Sequence, residues 1–245
     1  MTGKTRWSIE PPDGAGYPVI SGPDIVYIAG APVIALDASD GTQLWTYTDE
    51  RAPNTSVQAL LVDDALFVYG DRGVDRVDAF SGKRLWRSQL NALFGIALSG
   101  GELYTTYRGG LDVLNAADGA QRRTFSNDYK FAFDVAVTGR SLCYADGDFV
   151  HGLDTLTGRT RWQVGPFEEI PYFSELRDGV LAASTYDGKV CLIEAATGTV
   201  RWWLHGTGRT STPVLSGGVV YVAVEHQGVL ALDTVAPASK SSTKS

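Results

Sequence analysis

Short apolar runs alternate along almost the whole chain with turns of Gly, Asp, Asn and Pro. The first set is YPVIS (17–21), DIVYIA (24–29), PVIALD (32–37) and TQLWTY (42–47). These runs are rich in β-branched and aromatic residues and bounded by turn formers, which predicts strands rather than helices. Further sets of four follow at 57–62, 65–70, 74–79 and 83–88, and at 94–99, 102–107, 111–116 and 120–125. They recur at 131–137, 141–146, 149–154 and 159–164, and at 172–177, 180–185, 189–194 and 199–204. The last set has three runs, at 212–217, 219–224 and 228–233. No segment holds a helical apolar period over three turns, so no helix is expected.

A phrase repeats beneath this pattern. ALDASDGTQLW (35–45) returns as RVDAFSGKRLW (76–86), VLNAADGAQRR (113–123), GLDTLTGRTRW (152–162) and LIEAATGTVRW (192–202). Its opening ends the chain as ALDT (231–234), and its close begins it as TGKTRW (2–7). The acid or amide position falls at Asp37, Asp78, Asn115, Asp154, Glu194 and Asp233, at intervals of 41, 37, 39, 40 and 39. Four strands per forty-residue repeat predict the blades of a β-propeller. The expected fold is all-β, a six-bladed β-propeller of four-stranded blades. Residues 4–10 complete the C-terminal blade and close the ring, which removes an exposed sheet edge. Residues 1–234 form one domain on this reading, and 235–245 a polar tail or linker stub. The glycine four residues before the final position sits in a turn where a positive φ carries no steric cost.

The phrase A-x-D-x-x-T-G-x-x-x-W resembles the tryptophan-docking repeat of the quinoprotein-like (PQQ-like) β-propellers, over essentially the whole chain. The resemblance implies that Trp7, Trp45, Trp86, Trp162 and Trp202 pack flat between neighbouring blades as structural residues. The third repeat departs from the pattern, with Arg123 at the tryptophan position and Asn115 at the acid. That predicts a looser or more polar junction there. Alcohol and sugar dehydrogenases of the family have eight blades, PQQ and calcium, and many carry adjacent cysteines. This chain has six repeats and no adjacent cysteines, so neither PQQ nor calcium is expected. It is more similar to the non-enzymatic members, an outer-membrane assembly lipoprotein and the sensor regions of bacterial Ser/Thr kinases. These bind partners through loops around the ring.

Charge narrows the partners. A formal net charge of -7 argues against nucleic acid, which demands a basic patch, and against an anionic membrane surface. No apolar run spans a bilayer, so no membrane insertion is expected. There is no basic-then-apolar leader either. The chain is expected to be cytoplasmic as written, or extracytoplasmic if it is a domain of a larger sensor, and monomeric. Cys143 and Cys191 lack a metal-ligand spacing and read as buried thiols.

Candidate chemistry concentrates in loops. Those joining each fourth strand to the next repeat, and those joining second to third strands, gather on one propeller face. Tyr129, Lys130 and Phe131, and one repeat later Phe167, Tyr172 and Phe173, place aromatics on neighbouring loops. They read either as interface anchors or as plugs of the channel. Glu168 and Glu169, with Arg51 and Arg209 from other loops, read as a general acid–base set or as solvated loop charges. Asn54 and His226 complete the candidate ligand- or partner-binding set. His151, His205 and His226 share no ligand spacing, and no metal site is predicted. His151 reads as a structural histidine within a strand. Asp146-Gly147-Asp148 resembles a fragment of a calcium loop whose other ligand positions are missing. There is no nucleophile elbow, phosphate loop or dinucleotide fingerprint. Two functions fit: a non-catalytic scaffold or sensor recognising a protein, peptide or small ligand, or a small propeller enzyme (hydrolase, lyase or cyclase) with its site at the channel mouth.

Overall fold

The computed structural model describes residues 3, 5–10, 19–50, 57–90, 94–107, 109–126, 134–169, 171–174, 176–206 and 208–235. Their strands form six separate sheets, each from strands consecutive in sequence, and among the described residues there is no helix. The first sheet holds β1 (Val19–Ser21), β2 (Ile25–Ile28), β3 (Val33–Asp37) and β4 (Gln43–Tyr47). The second holds β5 (Gln58–Val62), β6 (Ala65–Gly70), β7 (Gly73–Asp78) and β8 (Arg84–Ser88). The third holds β9 (Gly95–Ser99), β10 (Glu102–Tyr107), β11 (Gly110–Asn115) and β12 (Gln121–Ser126). The fourth holds β13 (Val135–Thr138), β14 (Ser141–Asp146), β15 (Phe149–Asp154) and β16 (Thr160–Val164). In the fifth are β17 (Tyr172–Phe173), β18 (Val180–Ser184), β19 (Lys189–Glu194) and β20 (Val200–His205). The sixth has β21 (Val214–Ser216), β22 (Val219–Val224) and β23 (Gly228–Asp233). Of residues 4–10, expected as its fourth strand, 5–10 are described and form no strand, so among the described residues this sheet has three. Of the expected tail only Val235 is described.

Contacts divide the chain into two compact units, 1–107 with 112–124 and 108–111 with 125–245. In the first unit, Tyr27, Val33 and Ala35 of the first sheet pack with Leu66, Val68 and Val77 of the second. Phe67 and Val74 of the second sheet pack with Leu103 and Leu114 of the third. In the second unit, Cys143 and Val150 of the fourth sheet meet Leu181, Cys191 and Ile193 of the fifth. Val180 and Leu192 of the fifth meet Val220 of the sixth. Each buried Val, Leu or Ile side chain contributes about 1.5–3 kcal/mol. Burial also pushes the Cys143 and Cys191 thiols up to about 12, so both stay protonated at neutral pH.

Tryptophan docking follows from one irregularity repeated in the sheets. The pairing of third with fourth strand slips by one residue between Ala35 and Leu36, Arg76 and Val77, Gly152 and Leu153, and Leu192 and Ile193. The bulge bends the outer strand and re-aims the residue beside it, which is the tryptophan. The indole N–H groups then donate to carbonyls of the following sheet: Trp45 to Ala79 at 3.2 Å, Trp86 to Ala116 at 3.0 Å and Trp162 to Ala195 at 2.9 Å. Trp202 reaches Asp233 at 3.0 Å, and Trp7 donates to Ala38 of the first sheet at 3.0 Å. Each of the first three rings also lies under the turn glycine of the sheet that it reaches. A Cβ at Gly82, Gly119 or Gly198 would stand 2.6–2.7 Å from the ring of Trp45, Trp86 or Trp162.

The repeat acid ties down that same turn. Asp78 accepts the Ser81 N–H at 2.8 Å, and the Gly82 N–H donates to the Asp78 carbonyl at 2.9 Å. The Ser81 hydroxyl and N–H hold the Asp78 carboxyl below the usual carboxylate range.

At the third repeat Arg123 is ion-paired with Glu102. The place under the next turn glycine, Gly158, is taken by Phe125, whose ring would stand 2.4 Å from a Cβ there. Residues 123 and 125 share one face of β12. The docking aromatic has therefore moved two positions along the strand, and the contact is a close apolar one rather than the looser or more polar one expected.

Candidate functional site

The second unit carries an open cleft of about 510 Å³, lined by Asp148, Glu168, Glu169, Tyr172 and Tyr186. Three loops and the strand β17 build it. Asp148 sits in the β14–β15 turn, and its carbonyl accepts the Phe167 N–H at 2.6 Å, which fastens the loop after β16 to that turn. Phe167 is 2% exposed and packs on Trp203 with ring centroids 5.4 Å apart. With Phe167 anchored inward, Glu168 and Glu169 project from the following positions. Tyr172 and Phe173 are consecutive on β17 and face opposite ways: Phe173 is buried and Tyr172 is 45% exposed. The Phe173 N–H donates to Asp134 at 3.1 Å, which sets the height of β17. Burial pushes the Asp134 carboxyl up, against the N–H bonds of Phe173 and Val135 that pull it down.

Tyr186 comes from the β18–β19 turn and is 42% exposed. The Arg209 guanidinium lies over its ring, 4.3 Å from the centroid, a cation–π contact. Beside it Lys189 bridges Glu168 and Asp187, at 3.1 Å from each. Glu168 first, and Asp187 with it, hold the Lys189 ammonium above its ordinary value. Burial acts to raise Asp187, but the Thr185 hydroxyl and Lys189 outweigh it and hold its carboxyl low. His205 is the cross-strand partner of Lys189 and stacks with Trp203 at 6.3 Å. Trp203 is 42% exposed and packs on Phe167, the residue before Glu168.

Of the residues singled out in the sequence, the structure brings Glu168, Glu169 and Tyr172 together, with Arg209 one contact away through Tyr186. His226 stands apart from the cleft lining, highly exposed, 3.8 Å from Glu225. Arg51, Asn54, Tyr129, Lys130 and Phe131 lie outside the described residues. Phe167 and Phe173 are core residues, whereas Tyr172 has the exposure of an anchor. Glu168 is ion-paired and its side chain is 78% exposed, a solvated loop charge. Tyr186 and Trp203 were not singled out in the sequence, although Tyr186 lies in a loop between second and third strands and Trp203 directly follows the docking residue Trp202.

His151 is fully buried, 2.7 Å from Asp146 and stacked on Tyr144 at 4.9 Å. This arrangement fits a structural residue. Burial pushes the Asp146 carboxyl up, against the pull of His151. In the Asp146-Gly147-Asp148 turn, the first carboxylate therefore faces a histidine and the second faces the cleft. Among the described residues no three His, Cys, Asp or Glu side chains converge to hold a metal ion.

A family model described as "Outer membrane protein assembly factor BamB", PQQ_2, matches residues 1–75, 70–170 and 146–236. The chain belongs to this family. It is thus a β-propeller protein of PQQ-like repeats, grouped with an assembly factor. Within the BamB family, the outer membrane protein assembly factor of Moranella endobia (strain PCIT) is 22% identical over 231 residues. That alignment covers 82% of this chain and 59% of the relative, so the chain spans little more than half the relative's length. The crystal structure of BamB from Moraxella catarrhalis superposes with a TM-score of 0.65 at 20% identity, over 87% of this chain and 71% of that one. The computationally designed protein Ika8 superposes with a TM-score of 0.80 at 14% identity, over 94% and 74%. U3-55K gives 0.70 at 14% identity, over 82% and 71%. At these identities the superpositions speak for the fold alone.

Proposed function

We propose that this chain is a non-catalytic interaction module, a six-bladed propeller that docks a protein partner at the Asp148–Glu168–Glu169–Tyr172–Tyr186 cleft. The observation that carries the reading is the pair of half-exposed tyrosines flanking the carboxylates. Exposed aromatics beside charged groups are typical anchors of protein interfaces. Membership of the BamB family supports it, because the family is named for an assembly factor and not for a dehydrogenase. PQQ and calcium have no part in this proposal.

Ring closure by residues 4–10 belongs to the same proposal. Trp7 donates to Ala38 of the first sheet in the same way that Trp45, on the first sheet's outer strand, donates to Ala79 of the second. Residues 5–10 form no strand of their own, and on this proposal the segment that carries Trp7 pairs as the outer strand of the blade preceding the first, which in a ring is the sixth. Such closure protects outer-edge amides of β23 from hydrogen exchange, and deleting residues 2–10 removes that protection.

Docking is tested by placing a photo-crosslinking amino acid at Tyr172 in cells of the native source, with Leu44 on β4 as the control position. A discrete protein adduct from position 172 and none from position 44 is expected. Adducts from both positions, or from neither, would contradict the assignment of the face.

A further inference from the structure

We infer that the partner segment seated in this cleft is basic, with an arginine placed between Tyr186 and the carboxylates. The inference rests on the docking reading above and adds the chemistry of the ligand. Four acidic side chains, Asp148, Glu168, Glu169 and Asp187, meet at or beside the cleft. Two cations of this chain stand nearby, Lys189 against Glu168 and Asp187, and Arg209 over the Tyr186 ring. The local field is therefore negative, and it repels phosphates, nucleic acid and acidic peptides.

Acidity alone does not select arginine; the aromatic walls do. Tyr172 and Tyr186 are 45% and 42% exposed, and Trp203, 42% exposed, lies beyond Lys189 and His205. The chain already displays the contact in miniature, since Arg209 places a guanidinium 4.3 Å over the Tyr186 ring. A guanidinium stacks on an aromatic face and at the same time offers a planar fork of N–H donors to carboxylates. An ammonium is more strongly hydrated and makes the same pair of contacts less well. A purely apolar segment would strip water from Glu168 and Glu169 without replacing their hydrogen bonds. Lys189 already neutralises Glu168. Asp148 and Glu169 are therefore the carboxylates assigned to the incoming arginine.

The test uses the full chain and blocked synthetic pentapeptides of the pattern Gly-X-Gly-X-Gly. X is arginine, its neutral isostere citrulline, lysine or glutamate, and spermidine serves as a cation without a peptide. Each is titrated to millimolar concentration and followed by NMR shifts of residues 148, 168–169, 172 and 186. The arginine peptide is expected to bind about 10-fold more tightly than the citrulline peptide and a few-fold more tightly than lysine. Its affinity is expected to fall as salt rises. The double variant D148N/E169Q is expected to weaken it about 10-fold or more, and Tyr186→Leu about 3-fold, with circular dichroism unchanged. Equal binding of citrulline or glutamate peptides would overturn the inference, as would spermidine matching arginine, or D148N/E169Q leaving the affinity intact. If no peptide binds while position 172 still crosslinks a partner, the basic-segment inference falls and the docking reading stands. If both experiments fail, both readings fall.

Discussion

Trp162→Ala is expected to destabilise the protein by about 3 kcal/mol, toward the lower end of aromatic-to-alanine changes because the ring is part-exposed. For a chain of this size that lowers Tm by about 6–12 °C in calorimetry. The reason is the wedge that the ring forms. On one side is Gly152 of its own sheet, where a Cβ would stand 2.0 Å from the indole; on the other is Gly198 of the next sheet, 2.7 Å away on the same measure. Its N–H is spent on Ala195, and it packs against the cluster of Cys143, Leu181 and Ile193. Trp162→Phe keeps much of the wedge and loses the hydrogen bond, an expected cost of about 1 kcal/mol. A loss under about 1 kcal/mol for Trp162→Ala would mean that the sheets hold together without the indole.

Gly198→Ala is expected to cost about 2–4 kcal/mol, although it adds a single methyl group. Two penalties combine. The φ of +76° is left-handed, costing an L-residue about 1 kcal/mol, and the new Cβ would lie 2.7 Å from Trp162. Gly179→Ala separates them. Its φ is +75°, and no heavy atom lies within 4 Å of a Cβ there, so it should pay only the backbone cost of about 1 kcal/mol. Denaturant melts of both variants measure the difference, which is the energy of the ring clash. Equal losses would show that the turn glycine serves φ alone.

Much of the architecture was legible in the chain because two independent signals agree on it. Short β-branched and aromatic runs mark the strands, and the D-x-x-x-G turn with its tryptophan marks where each repeat ends. Both patterns are local, and inner strands such as β6 and β18, buried at consecutive positions, keep a near-continuous apolar run that stands out against the turns. The third repeat shows the limit. Arg123 holds the motif position while Phe125 does the docking, and only the packing under Gly158 reveals the two-residue shift.

The site was legible in part for a similar reason. Glu168, Glu169 and Tyr172 are close in sequence, so one loop announces them. Their meeting with Asp148 and Tyr186 depends on turns 20 residues upstream and 14 residues downstream, counting from 168 and 172. No periodicity encodes that convergence. Phe173 also shows that adjacent aromatics do not share a role, since alternation along β17 sends Phe173 to the core and Tyr172 to solvent.

The most direct measurement is native mass spectrometry of the chain purified gently from its own source, beside the variant Tyr172→Ala with Glu169→Gln. The account predicts that the wild-type chain carries a protein partner in defined stoichiometry. The variant should appear as the bare chain with the charge-state distribution of a folded protein. A partner retained equally by both would place the interface elsewhere. A small-molecule adduct on the wild-type chain, with no protein partner, would contradict the interaction-module reading and favour a ligand-binding or catalytic site.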